Sequence, residues 1–464
     1  MQFLIALIIG ALFFFITQRH SFFAWYDVKK SKVVSFTFGT YAIDAARSTI
    51  SFTYRVVFQD GRVKTYTDRL KFPDVPPALW GSVPKEVLEP TLQSLLLMIG
   101  INYWCVFPTK NIHIEGFALN RAQARFWDSL YLNGLGEFFY DMKMDFRGLI
   151  AFPYDASLVA STPVRFERPA RALLLNGAGK DSILSAELLK ASGAPFDFFA
   201  FAPTPAHKRI GKLVGAKTIS VTRRRDPRLD AVVGVSSAYP SVSTFTFTAT
   251  LLAEILGYNS IIFSNERSAD VGNLTYLGLD VNHQWCKSSE AERMINDYIH
   301  NYITPDISTT SLLRKYSEFE IVRQFVTYPK YLRYFTSCNT YFWLPRPWQL
   351  AYRTSYWCNK CPKCVFLFAC FSGFLPKKEM IAIFGADLYA KKSLLPLFRR
   401  ILGIEGFKPL DCVGEPEEMI LPMLYALRGK EYSGEPAMLL FEEHFPSSYD
   451  FGEIERKVFA DKKE

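Results

Sequence analysis

The stretch 173-LLLNGAGKDSILSAELL-189 sets an apolar, strand-like run against a glycine-containing turn, and a helix-like pattern follows at once. Apolar residues at Ile183, Leu184, Leu188 and Leu189 have the spacing of one helical face. Strand, tight turn and helix form the unit of parallel α/β sheets, in which ligands bind beyond the carboxyl ends of the strands. Gly177 and Gly179 permit positive φ and close approach of the backbone. The free amides at the helix start make an anion site. Lys180 can offset phosphate charge, Asp181 can hold Mg²⁺, and Ser182 can donate to a phosphate oxygen. The loop is not a Walker A, G-x-x-x-x-G-K-[ST]: Asp181 separates Lys180 from Ser182, and no glycine stands at the upstream offset. Taken alone, the turn is equally compatible with a strand–helix connection that binds nothing.

Downstream the alternation continues. "DFFAFAP" and "AKTISVTR" read as strands, "STFTFTATLLAEILG" as a helix and "NSIIFSNE" as a further strand. This predicts an α/β domain with a parallel sheet over residues 166–375 and a helical region over 376–464. Upstream, residues 32–72 alternate, with Asp60-Gly61 in "FQDGRV" as a hairpin turn. A helical pattern from Pro84 to about Tyr140 completes an accessory α+β domain over 19–165, joined through Ser161–Pro169. Residues 1–18 read as a hydrophobic anchor. Phe3–Thr17 is an uncharged apolar run of 15 residues, shorter than the ~20 of a full span. Phe22, Phe23 and Trp25 can extend it into an interface belt, and Arg19, Lys29, Lys30 and Lys32 follow. The expectation is a single-pass protein on the cytoplasmic face of a membrane. The alternative is a buried N-terminal segment.

The chain has 464 residues, 49% hydrophobic, with a formal charge of +9. That charge suits an anionic ligand, a membrane surface or nucleic acid without choosing among them. "TRRRDPR" (Thr222–Arg228) can contact phosphates or be a solvated basic loop. No aromatic stacking platform is interleaved with it, so no nucleic-acid partner is expected. Three of the eight cysteines, Cys358, Cys361 and Cys364, are spaced C-x2-C-x2-C, and Cys338 lies twenty residues upstream. Four thiolates can close a structural Zn²⁺ site. An iron–sulfur cluster is the runner-up, and unmetallated buried thiols are the plain alternative. Cys105, Cys370 and Cys412, in apolar company, read as core thiols.

A second polar constellation lies in "IIFSNERSADVGNLTYLGLDVNHQWCKSSEAE" (Ile261–Glu292). An apolar strand ends in Ser264-Asn265-Glu266-Arg267, again at the ligand edge of an α/β sheet. Arg267 can grip a carboxylate or phosphate with two N–H groups, and Glu266 can take Mg²⁺ or pair with it. Asn282, His283, Gln284, Cys286 and Lys287 follow.

"GAGKDS" resembles the S-G-G-x-D-S pyrophosphatase loop of enzymes that cleave ATP to AMP and pyrophosphate. Gly177 stands for the serine and Ala178 for the first glycine, with Asn176 a candidate for the missing polar group. Such a loop followed by four cysteines also occurs in 7-cyano-7-deazaguanine synthase. "FSNERSA", "VNHQWCKS", "SCN" and "WCNKCPKC", in this order, resemble the UDP-N-acetylmuramoyl-L-alanyl-L-glutamate epimerase family. "LYLNGLGEFFYD" (Leu130–Asp141) and "SLLRKYSEFEIVRQF" (Ser311–Phe325) resemble it too, so the likeness runs from about Lys32 to Gly429.

The resemblance implies an adenine nucleotide α-hydrolase-like ATP pyrophosphatase domain. It implies an enzyme that uses ATP and Mg²⁺ to invert the terminal L-Glu of a UDP-MurNAc dipeptide, for peptidoglycan precursor synthesis. On that basis Asn176, Gly177, Gly179, Lys180, Asp181 and Ser182 bind ATP and Mg²⁺. Glu266 and Arg267 orient the activated carboxylate or the metal, and Asn265, Asn282, Gln284 and Lys287 contact the substrate. His283 carries the proton, since neutral imidazole works near pH 7; Cys286, with Lys287 beside it, is next. Two rivals stay open. One is another ATP pyrophosphatase activating a carboxylate for nucleobase or RNA modification. The other is a membrane-tethered nucleotide-binding protein whose loop has decayed.

Overall fold

The computed structural model describes residues 32–159, 162–230, 239–343 and 356–459. They fall into two compact units. The first comprises residues up to Phe166 together with Val221–Leu256 and Tyr298–Pro305, and the second holds the rest.

In the first unit, β1 (Val33–Asp44), β2 (Thr49–Phe58) and β3 (Val63–Lys71) form an antiparallel meander, and β4 (Ile112–Ile114) runs parallel to β1. The Asp60-Gly61 turn forms as expected: Gly61 takes φ +81°, and Arg62 N donates to Asp60 Oδ1 at 3.1 Å. Alternation along β2 buries Ile50, Phe52, Tyr54 and Val56 on one face. The helix Lys85–Trp104 lies on that face so closely that a Cβ at Gly100 would come 2.3 Å from the Phe38 ring. The Tyr54 hydroxyl donates to the Leu96 carbonyl at 3.0 Å. The basic stretch is partly internal. From β7 (Thr218–Arg224), Arg223 pairs with buried Asp68 at 2.7 Å, and the Tyr103 hydroxyl donates to the same carboxylate. The Arg228 guanidinium forms two bonds to Asp226, at 2.9 and 2.7 Å.

In the second unit, β5 (Ala172–Leu175), β6 (Phe196–Phe201), β8 (Ser260–Phe263) and β11 (Ser308–Ser311) are parallel, in the order β11-β8-β5-β6. β9 (Leu274–Tyr276) and β10 (Leu279–Val281) make a small hairpin. The helix Lys180–Ala191 buries Ile183, Leu184 and Ala186. One core cluster runs from Ile183 and Ala186 into the C-terminal helices, taking in Phe366 and Phe368 of the helix Pro362–Ser372 and Met419 and Met423 of the helix Glu417–Arg428.

The single-pass membrane location expected from the sequence is corrected. No helix among the described residues is long and apolar enough to cross a membrane. The Phe3–Thr17 run that prompted the expectation lies outside the described residues.

Candidate active site

From β5 the chain moves to one side, to β6, and later returns on the other side as β8. The crevice beyond the carboxyl end of β5 is therefore a topological switch point, where α/β sheets bind ligands. The 176–182 turn occupies it. Its left-handed residue is not a glycine: Ala178 takes φ +55° and is fully buried, while Gly179 is extended at φ −96°, ψ 173°. Asn176 makes that conformation possible. Its Oδ1 accepts from Ala178 N at 2.9 Å, and its Nδ2 donates to the His207 carbonyl at 3.1 Å. Gly179 is needed for close approach, since a Cβ there would stand 2.7 Å from Ser337 Oγ. That hydroxyl oxygen is buried without a hydrogen-bond partner. Gly179 provides no side-chain cap for the helix Lys180–Ala191, so the first-turn amides are left for a ligand. Gly177 is exposed and Ser182 donates to the Gly179 carbonyl at 3.1 Å.

Behind the turn lies a cluster of charges. Lys180 is fully buried and donates to Asp181 and to Glu318. Glu318 opens the helix Glu318–Phe325, and its other oxygen accepts from Lys363 at 2.7 Å. Burial alone would raise the Glu318 carboxyl; the two ammonium groups overcome this and hold it down at about 2. Burial likewise opposes charge on Lys363, yet Glu318, Glu266, Asp181 and Cys412 keep it protonated, well above the ordinary lysine range. Asp181 retains 24% of its side-chain exposure. Burial, which outweighs the Lys180 attraction, raises its carboxyl. Glu418 accepts from the backbone N–H of Glu318 at 2.6 Å and of Glu415 at 2.8 Å. Even so, burial pushes it up to about 7.

The second constellation divides. Asn265 is buried and donates to Ser311 Oγ at 2.9 Å. Glu266 is buried at the edge of the charge cluster. Arg267 turns away, donating to the carbonyls of Lys457 and Val458 at 3.1 and 2.7 Å, at the end of the helix Phe451–Phe459. Arg314 is the guanidinium that ties the loops together: it donates to the carbonyls of Glu266 at 3.0 Å and Lys287 at 2.6 Å, and to Glu292 at 3.0 Å. Asn282 shapes the next turn, accepting from Gln284 N at 2.7 Å and donating to the Ala269 carbonyl at 2.8 Å. Lys287 Nζ donates to Gln284 Oε1 and to Cys412 Sγ, each at 3.1 Å. The polar atoms of His283, Asp411 and Cys412 lie within 4.8 Å of one another. Cys286 is half-buried in the turn Trp285–Lys287. The thiol grouped with His283 is thus Cys412, which the sequence reading placed among plain core residues. Glu318, Lys363, Asp411 and Glu418 also went unnoticed. The one sequence signal was a cysteine between an acid and a glycine-containing turn in "LDCVGE".

Cys338, Cys358, Cys361 and Cys364 do converge, with all four Sγ atoms within 4.8 Å of one another. Cys358 N donates to Cys338 Sγ at 3.4 Å, and the Cys358 and Cys364 sulfurs are 3.7 Å apart. A tetrahedron with Zn–S bonds of ~2.3 Å has edges of ~3.8 Å, so the donor set fits such an ion.

Similarity to known proteins covers most of the chain. The profile of the MurL N-terminal domain matches residues 27–312, and that of the MurL C-terminal domain matches residues 334–453. A protein of Xanthomonas oryzae pv. oryzae named UDP-N-acetyl-alpha-D-muramoyl-L-alanyl-L-glutamate epimerase is 31% identical over 394 residues, covering 84% of this chain and 85% of its own. Proteins of the same name from a Micromonospora species and from Salinispora tropica are each 29% identical. The first covers 89% of this chain and 91% of its own; the second covers 84% of each.

Proposed function

The chain belongs to the MurL epimerase family, and from that premise we propose that it inverts the terminal glutamate of UDP-N-acetylmuramoyl-L-alanyl-L-glutamate in an ATP-dependent step of peptidoglycan precursor synthesis. The observation that carries the reading is the cluster of Lys180, Asp181, Glu266, Glu318, Lys363 and Cys412 at the switch point beyond β5. A glutamate α-proton beside an ionised carboxylate is barely acidic. Transfer of AMP from ATP to that carboxylate, with pyrophosphate leaving, removes its charge and makes the proton removable; hydrolysis afterwards releases AMP.

The residues suit these steps. Uncapped amides at the helix start and the partnerless Ser337 hydroxyl offer donors to phosphate oxygens. Asp181, the carboxylate of the turn that keeps solvent access, is the Mg²⁺ ligand of this reading. Lys180 and Lys363 stay protonated behind the turn, where Glu318 balances both and fixes their positions. The four cysteines would hold one structural Zn²⁺, which would cross-link the segment bearing Ser337 and the helix bearing Lys363; an iron–sulfur cluster is the alternative.

The test is incubation of the full chain with UDP-N-acetylmuramoyl-L-alanyl-L-glutamate, ATP and Mg²⁺. Chiral analysis of glutamate after acid hydrolysis should find D-glutamate, and AMP and pyrophosphate should appear with it. Accumulation of ADP would reject the pyrophosphatase-type cleavage. L-glutamate alone would reject the epimerase assignment.

A further inference from the structure

Cys412, expected from the sequence to be a plain core thiol, lies instead among charged and titratable groups. It is half-buried, with the Lys287 ammonium 3.1 Å from its sulfur. Gln284 Oε1 accepts from the same ammonium at 3.1 Å and so fixes its direction. His283 faces the sulfur from the same turn. Lys363 adds charge from the start of the helix Pro362–Ser372, and Asp411 precedes Cys412 in its own loop. The Asp411 carboxylate is engaged by the backbone N–H of Cys412 at 2.7 Å and by the Asn339 amide. His283, Asp411 and Cys412 are grouped as a metal site would be. An ammonium in contact with the sulfur repels a second cation and already balances a thiolate, so the arrangement favours proton chemistry.

We propose that Cys412 is the base that removes the α-proton of the glutamyl residue, with His283 as its proton partner; the assignment rests on the epimerase reading above. Burial alone would push the Cys412 thiol up, but Lys287, His283 and Lys363 outweigh it and hold it at about 7. A substantial fraction is then thiolate at neutral pH, the form that accepts protons. In the reaction an S–H bond forms as the Cα–H bond breaks, and the electron pair moves onto the activated carbonyl oxygen. A water on the opposite face of that carbon delivers a proton as the carbonyl re-forms, leaving hydroxide. Cys412 then passes its proton through His283 to that hydroxide, which restores the thiolate. The contact between sulfur and imidazole provides the relay.

Two measurements on the full chain decide the matter. In deuterated water with UDP-N-acetylmuramoyl-L-alanyl-L-glutamate, ATP and Mg²⁺, Cys412→Ser should still release AMP. Its incorporation of α-deuterium should fall by about 10²-fold or more, the usual range for loss of a general base. Separately, iodoacetamide labelling followed by peptide mapping should show Cys412 reacting with a pH midpoint near 7, and Lys287→Met should move that midpoint upward. An active wild type beside a Cys412→Ser variant that exchanges normally overturns the base role alone. A wild type that neither releases AMP nor exchanges overturns the epimerase reading and the base role together. If the serine variant does not fold, the labelling profile still decides: a midpoint at the free-thiol value of about 8.5 overturns the proposal.

Discussion

Glu318 stands between two buried ammonium groups, Lys180 and Lys363, and its charge is what lets them be buried. Glu318→Gln leaves both without their shared counter-ion. Loss of one partner from a buried pair costs about 3–5 kcal/mol, and urea unfolding should show a destabilisation of that order. Glu418 behaves in the opposite sense. Its carboxyl rises from an ordinary 4.5 to about 7 on folding. Between those values the unfolded chain releases this proton while the folded chain keeps it. The contribution is therefore full below about pH 4.5, declines as pH rises, and is lost above about pH 7. Unfolding of wild type and Glu418→Gln across pH 4.5 to 8 should show the wild type losing ground to the variant through that window. A difference independent of pH would refute the assigned shift. Neither residue was legible in the sequence, because a glutamate in a helical pattern looks solvated until the fold encloses it. Lys180 and Asp181 were legible because they follow the glycine turn directly.

At the scale of elements, the hairpin at Asp60-Gly61 and the strand–turn–helix at residues 172–191 were readable, since both are set by local backbone chemistry. The detail inside the second was not. The left-handed position fell on Ala178 because Asn176 bonds back across the turn, a choice that glycine counting cannot foresee. The four-cysteine element was legible from spacing, since C-x2-C-x2-C places thiols at one helix start. Its geometry leads to a prediction about metal. Purified protein should contain about one zinc per chain. Cys361→Ser should lower thermal stability and solubility more than it alters any remaining AMP release. Elemental analysis is the check: stoichiometric iron with visible absorbance would replace zinc with a cluster, and metal-free protein with four free thiols would reject the site.

Across the whole molecule, the residues of the candidate site come from well-separated parts of the second unit: the turn after β5, the loop after β8, the turn after β10, the helix Glu318–Phe325, the Cys-rich segment and the loop at Asp411-Cys412. Sequence reading found the parts that carry a motif. It missed Asp411, Cys412 and Glu418, which enter through tertiary packing alone. The partition itself was also hidden. The helix Ser241–Leu256 sits between strands of the parallel sheet in sequence, yet packs in the first unit, where Glu254 accepts from Thr91 Oγ at 2.5 Å. The pairing of Lys180 with Glu318 spans 138 residues, and this has a consequence in time. At a synthesis rate of ~5–20 residues per second, Lys180 emerges roughly 7–28 s before its partner exists. During that interval its ammonium must stay in water, because the partly exposed Asp181 beside it cannot enclose it without Glu318. Nascent chains stalled before residue 318 should therefore acylate at Lys180 as readily as at a surface lysine when treated with acetic anhydride. Completed chains should be protected there. Equal protection in both would mean that the turn closes around another counter-ion first.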